Sequence, residues 1–126
     1  MNTFSWIIQG ILGFVFLMAG GMKLAQPSEK VIASGGKWAE DFSASTIKLI
    51  GLGEVFCAFG IVVPKLLGLE IATYLTLASA VGIMAFMAGA FVTHFRRKET
   101  PFLAVTGVFF ALATAAAWLS SPFVQL

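Results

Sequence analysis

The sequence predicts an all-α fold, a polytopic membrane bundle of four helices, and three observations carry that prediction. Of the 126 residues, 59% are hydrophobic and 11% charged, with a mean hydropathy of +0.94. Soluble chains run at roughly 45–50% apolar and about 25% charged. Charge is absent from Met1 to Met22, from Ile71 to Phe95 and from everything after Glu99, and such runs exceed the roughly 18 apolar residues that mark a spanning helix. The runs are also continuous and rich in Leu, Phe, Ala and Gly. A membrane barrel would need alternating segments of about ten residues, and an open sheet edge cannot face lipid.

Four spanning helices follow in order, in one domain covering residues 1–126. The first runs from about Phe4 to Leu24 and stops before Pro27. Met1-Asn2-Thr3 has no positive charge and the apolar run is longer than a signal sequence uses, so the segment is expected to be retained. The second runs from about Ser45 to Val63 and ends at Pro64, the third from about Leu67 to Phe95, closed by Arg96-Arg97-Lys98-Glu99. The fourth spans Pro101 to Ser121, with Pro122 behind it. Each proline falls at a helix boundary, where its missing N–H costs little. The third helix is the longest, so tilt is expected for it.

The first connection, Ala25 to Ala44, is long for a helical hairpin. Pro27-Ser28-Glu29 reads as a helix start, Gly35-Gly36 as a break, and Lys37 to Phe42 as a polar stretch whose Trp38 and Phe42, four apart, share a face at headgroup level. The favoured expectation is a segment lying on the bilayer; the alternative is a lid over the mouth of the bundle. The first and third connections hold seven of the eight basic residues, Lys65 being the eighth. The bias of Lys and Arg toward cytoplasmic loops then puts both termini outside, in the inner membrane if the cell is bacterial.

Several chemistries are excluded. A net charge of +2, dispersed along the chain, is no nucleic-acid footprint. The single Cys57 and single His94 offer no internal disulfide, no bis-histidine haem and no zinc or iron–sulfur ligand set, so no metal is expected. No cofactor motif is evident, and no catalytic residue can be named.

Glu54 is the informative position. It lies near the middle of the second helix, about 13 Å from either interface at roughly 1.5 Å per residue. A carboxylate at that depth costs at least about 2.5 kcal/mol, so it should face the bundle interior and find a partner or a proton. Gly51, Cys57 and Ala58 share its side of the helix, and small residues there let another helix come close. The functional alternative is a proton-binding or ligand-anchoring carboxylate; the structural one is a bond between helices. Lys23 and His94 close the first and third helices at the same end. In isolation Lys23 would snorkel to the headgroups, and the charge and tautomer of His94 would be set by the partner of its other nitrogen. Together with Glu54 they could line one polar cavity, across a height difference of about 10 Å.

The remaining features suit packing. Gly13 and Gly20 on the first helix, Gly51 on the second, and Gly82 and Gly89 on the third are small positions suited to helix contacts, and one such seam could serve a homo-oligomer. The 13 Phe residues read as lipid-facing or core bulk, Lys48 as a snorkelling anchor, and Glu70 as a carboxylate opening the third helix.

Gly20-Gly21-Met22-Lys23-Leu24, Gly51-Leu52-Gly53-Glu54 with Gly60 and Pro64 following, and Thr93-His94-Phe95-Arg96-Arg97 together resemble the DoxX-like family of small four-helix membrane proteins. The resemblance implies that Lys23, Glu54 and His94 are the family's polar signature. It also implies an association with thiosulfate:quinone oxidoreduction or with membrane redox-defence complexes, and so a redox partner subunit and quinone as the cofactor to consider. Because a fold does not choose a function, the expectation is a non-catalytic accessory or anchor subunit with a buried polar site. A quinone-linked oxidoreductase subunit and a small proton-coupled transporter using Glu54 are the alternatives.

Overall fold

A computed structural model describes residues 3–33 and 37–121. The described residues form α1 (Thr3–Ala25), a short α2 (Ser28–Ala33), a 3-10 turn (Lys37–Asp41), α3 (Ala44–Leu66), α4 (Ala72–Arg96) and α5 (Thr100–Leu119), with no strand among them. α1, α3, α4 and α5 are each long and apolar enough to cross a membrane, and large apolar side chains such as Phe4, Phe14, Phe56, Phe95 and Trp118 face outward. That outward face fits lipid, which is the only solvent in which it is not an aggregation hazard. The expected break at Gly35-Gly36 and Pro122 behind the last helix lie outside the described residues.

Two boundaries differ from expectation, for local reasons. α3 runs through Pro64 to Leu66 instead of stopping at Val63. It ends in a Schellman turn: Leu69 N–H donates to Pro64 O and Gly68 N–H to Lys65 O, with Gly68 at φ +66°. Glycine meets no Cβ clash in that left-handed conformation. α4 therefore begins at Ala72, five residues later than expected, and Glu70 sits in the turn rather than opening the helix. Hydropathy cannot separate these segments, because Leu66 to Ile71 is as apolar as the helices it joins.

α1 packs on α3, α3 on α4, α4 on α5, and α5 returns to α1. The α1–α3 seam brings backbone against backbone. A Cβ at Gly20 would come within 2.6 Å of Gly51 O and 3.0 Å of Glu54 Cβ, and one at Gly51 within 2.8 Å of Lys23 Cβ. Gly13 faces Val62 and Ala58 on the same seam, and Gly82 faces Cys57 between α3 and α4. Gly89 is different: a Cβ there would meet nothing within 4 Å.

The two halves of the bundle are filled differently. Toward the N-terminal end of α1, Ile8, Leu12, Phe16, Ile61, Ile83 and Ala116 belong to a closed apolar core drawn from all four spanning helices. Toward the other end the small residues of α4, Ala85, Gly89 and Ala90, leave space that no side chain fills. The bundle is solid at one end and hollow at the other.

Candidate functional site

The hollow end is a cavity of about 470 Å³. Its wall is mostly apolar and aromatic, including Phe86, Phe102 and Phe109, and the polar groups set into it are Lys23, Glu54, Thr93, His94 and Thr106. So several phenylalanines form a cavity wall, in addition to lipid-facing and core positions.

Lys23 and Glu54 meet. Lys23 Nζ lies 2.8 Å from Glu54 Oε1, with side chains only 10% and 5% exposed. The height difference read from the sequence closes in two ways. The Gly20–Gly51 contact brings the α1 and α3 backbones together at this level. The lysine also turns back along its own helix, reaching to 3.5 Å from Ala19 O one turn earlier, the direction in which helical side chains lean. It does not snorkel outward. The close approach is an ion pair and not an aligned hydrogen bond, and no other described group donates one to Glu54 Oε1.

His94 lines the same cavity but pairs elsewhere. Its Nδ1 lies 2.8 Å from Glu99 Oε1, and its ring stacks on Phe102 at 4.8 Å with the planes 15° apart. The turn after α4 makes this pairing: Glu99 N–H donates to His94 O and Lys98 N–H to Phe95 O. This is a second Schellman turn, with Lys98 at φ +59° where glycine is the usual occupant. Folding back by five residues sets the Glu99 carboxylate under the imidazole. The Glu99 carboxyl is held below its ordinary range, first by the hydrogen bond from His94 and then by Arg97.

Arg97 ties this corner to the cover of the cavity. Its Nη1 donates to Asp41 Oδ1 at 3.0 Å, Nη2 lies 3.8 Å from Glu40 Oε2, and Nε lies 3.4 Å from Glu99 Oε1. Asp41, with its hydrogen bond foremost, and Glu99 hold the guanidinium above its already high value. The anchored segment presents Trp38 and Phe42 to the cavity, their rings edge-to-face at 5.8 Å, and Lys23 Nζ sits 5.3 Å from the Trp38 ring centroid. Val31, Ala39 and Ile47 form a small core of their own beneath. The segment thus contributes Trp38 and Phe42 to the cavity wall, as a cover over the mouth of the bundle would.

Lys48 is neither a site residue nor a snorkelling anchor. Its Nζ donates to the carbonyls of Lys23, Leu24 and Gln26 at 2.7–2.9 Å. It thereby caps the C-terminus of α1, where cations are favoured. Sequence spacing could not show this, since it depends on where α1 ends against α3. The pairing of Glu99 with His94 was also missed; its only signal is the five-residue interval across a charged turn.

Comparison with curated proteins and with solved structures gives no match. Residues 7–116, most of the chain and all four spanning helices in part or whole, match the DoxX-like family. Taken with the four spans, this makes the chain a multi-pass integral membrane protein that belongs to the DoxX-like family.

Proposed function

We propose that the chain is a non-catalytic accessory or anchor subunit of a membrane complex, and that it holds a small membrane-soluble molecule in the hollow half of its bundle. The observation that carries this reading is the Lys23–Glu54 ion pair on the wall of an apolar cavity of about 470 Å³. Small-molecule sites are clefts of about 300–1,000 Å³, apolar with a few convergent polar groups. A buried ion pair is a poor means of joining two helices, because desolvation offsets most of its attraction. Its retention beside an unfilled space favours recognition of a polar head on an apolar body. Glu54, Lys23 and His94 are the binding residues in this reading, with Gly13, Gly20, Gly51 and Gly82 setting the helix spacing.

The basic residues gather at the hollow end, which favours a cavity facing the cytoplasm and both termini outside, in the inner membrane if the cell is bacterial. Gly10, Gly21 and Gly107 have open space where a Cβ would be, which suits a homo-oligomer contact or the redox partner subunit that family resemblance suggests. A quinone-linked subunit is the second reading; the aromatic walls and the stacked imidazole favour it.

Native mass spectrometry of the gently extracted protein, wild type beside Glu54→Gln, tests the proposal by recording subunit count and bound small molecules. A bound molecule lost in the variant is expected. The same bare chain in both, or turnover of a quinone or sulfur compound by the purified protein alone, would overturn it. A co-purified quinone lost on Glu54→Gln would select the second reading.

A further inference from the structure

The ligand-holding reading leaves open what the polar head must be, and the His94–Glu99 pair narrows it. Three features converge on this ring. First, Nδ1 is committed: it lies 2.8 Å from Glu99 Oε1, and an ionised carboxylate accepts hydrogen bonds but cannot donate. The proton in that contact therefore sits on Nδ1. Second, the ring cannot turn to offer its other edge, because it is stacked on Phe102 and only 7% of the residue is exposed. Third, the residue lines the cavity and its Nε2 makes no hydrogen bond to any described residue. In the neutral ring with a proton on Nδ1, Nε2 carries the lone pair.

We infer that His94 is a ligand-contacting residue whose Nε2 accepts a hydrogen bond from the hydroxyl of a flat, membrane-soluble aromatic alcohol, a phenol, seated in the cavity. Glu99 is the positioning residue: it touches no ligand and acts by fixing which nitrogen carries the proton. The aromatic walls, Trp38 and Phe42 from the lid and Phe86 and Phe109 from α4 and α5, suit a ring body in preference to an alkyl one, since aromatic pairs gain beyond their buried area. Lys23 and Glu54 form the second polar station on the same wall. A molecule with carbonyl oxygens alone could address Lys23 but would leave the His94 lone pair unmet.

The inference rests on the ligand-holding reading, and the test separates the two. The chain has one histidine, so protein labelled with nitrogen-15 in its imidazole ring, reconstituted in lipid nanodiscs, gives a single pair of ring signals. In the neutral ring the expected tautomer has Nδ1 protonated and Nε2 bare. Addition of a 4-alkylphenol should shift the Nε2 signal, and the matched 4-alkylanisole, which lacks only the donor proton, should not. Leaving a buried acceptor unmet weakens binding roughly five- to a hundredfold, so that is the expected preference for the phenol over the ether. Glu99→Leu should mix the two tautomers and collapse the preference.

A proton on Nε2 in the wild type, or equal shifts with phenol and ether, would overturn the inference while leaving the cavity a binding site. Binding of neither probe would overturn the inference, and the ligand-holding reading falls with it only where native mass spectrometry also finds the bare chain. The tautomer is read on the wild-type protein and needs no variant to fold.

Discussion

Replacing Lys23 by Met removes an ammonium and leaves Glu54 in place, 5% exposed and with no other described donor on its Oε1. Two outcomes compete for the orphaned carboxylate. It can stay ionised, in which case breaking a buried pair from one side costs about 3–5 kcal/mol. It can instead take a proton, which for an ordinary carboxyl at pH 7 costs about 3.7 kcal/mol and less by about 1.4 kcal/mol for each pH unit lowered. The cheaper route sets the limit, so Lys23→Met should lose about 3–4 kcal/mol at neutral pH and recover much of it near pH 5. Removing both charges, as Lys23→Met with Glu54→Leu, should return stability to within about 1 kcal/mol of wild type, because the desolvation penalty goes with the pair. Reversible unfolding by detergent titration in mixed micelles, across the four corners of the double-mutant cycle, measures this directly. Equal losses in the single and double variants, or a single-variant loss that ignores pH, would refute the claim that this is a water-poor ion pair.

Three further predictions follow from the backbone and the lid. Gly20→Ala places a Cβ within 2.6 Å of Gly51 O, an overpacking that costs about 1–3 kcal/mol; Gly21→Ala, open on all sides, should be neutral in the same melting assay. Lys98→Gly relieves a left-handed residue and should stabilise by about 1 kcal/mol, read as a higher midpoint in detergent unfolding. Because the folded Glu99 carboxyl is held below the ordinary carboxyl value of 4.5, its contribution is complete above that pH and disappears as pH falls through the lower folded value. Protection of the amides of residues 37–42, taken relative to their intrinsic exchange rate at each pH, should therefore be unchanged from neutral pH down to about 4.5 and weaken only below it. Glu99→Gln should show the weaker protection already at neutral pH, lose that acid step and converge with the wild type in acid.

Much of this was legible from residues alone because lipid is a severe solvent. Runs as apolar as Ile71 to Phe95 have one stable fate in a bilayer, and a carboxylate at Glu54 is too expensive there to be incidental. What hydropathy cannot encode is direction. Lys23 could point to the headgroups or back into the bundle with equal hydropathy; the choice is made by Gly20 and Gly51, which bring α3 close enough for Glu54 to be the nearer partner. The α3–α4 turn is hidden in apolar sequence, marked only by Gly68. The pairing of His94 with Glu99 is hidden more deeply, because the turn that makes it has Lys98 where a glycine would have announced it. Trp38 and Phe42 suit a headgroup region and a cavity mouth alike, and the Arg97–Asp41 bond that holds their segment to the end of α4 leaves no mark in hydropathy.

The central claim is that the hollow end of the bundle admits a membrane-soluble molecule between Lys23–Glu54 and His94. Photolabelling in lipid nanodiscs with a diazirine-bearing alkylphenol, read by peptide mass spectrometry, tests it most directly. Adducts are expected on cavity residues such as Trp38, Phe86 and Ala90, suppressed by excess unlabelled alkylphenol and reduced in Glu54→Gln. Adducts confined to outward residues such as Phe14, Phe56 and Tyr74, insensitive to competitor and variant alike, would contradict it.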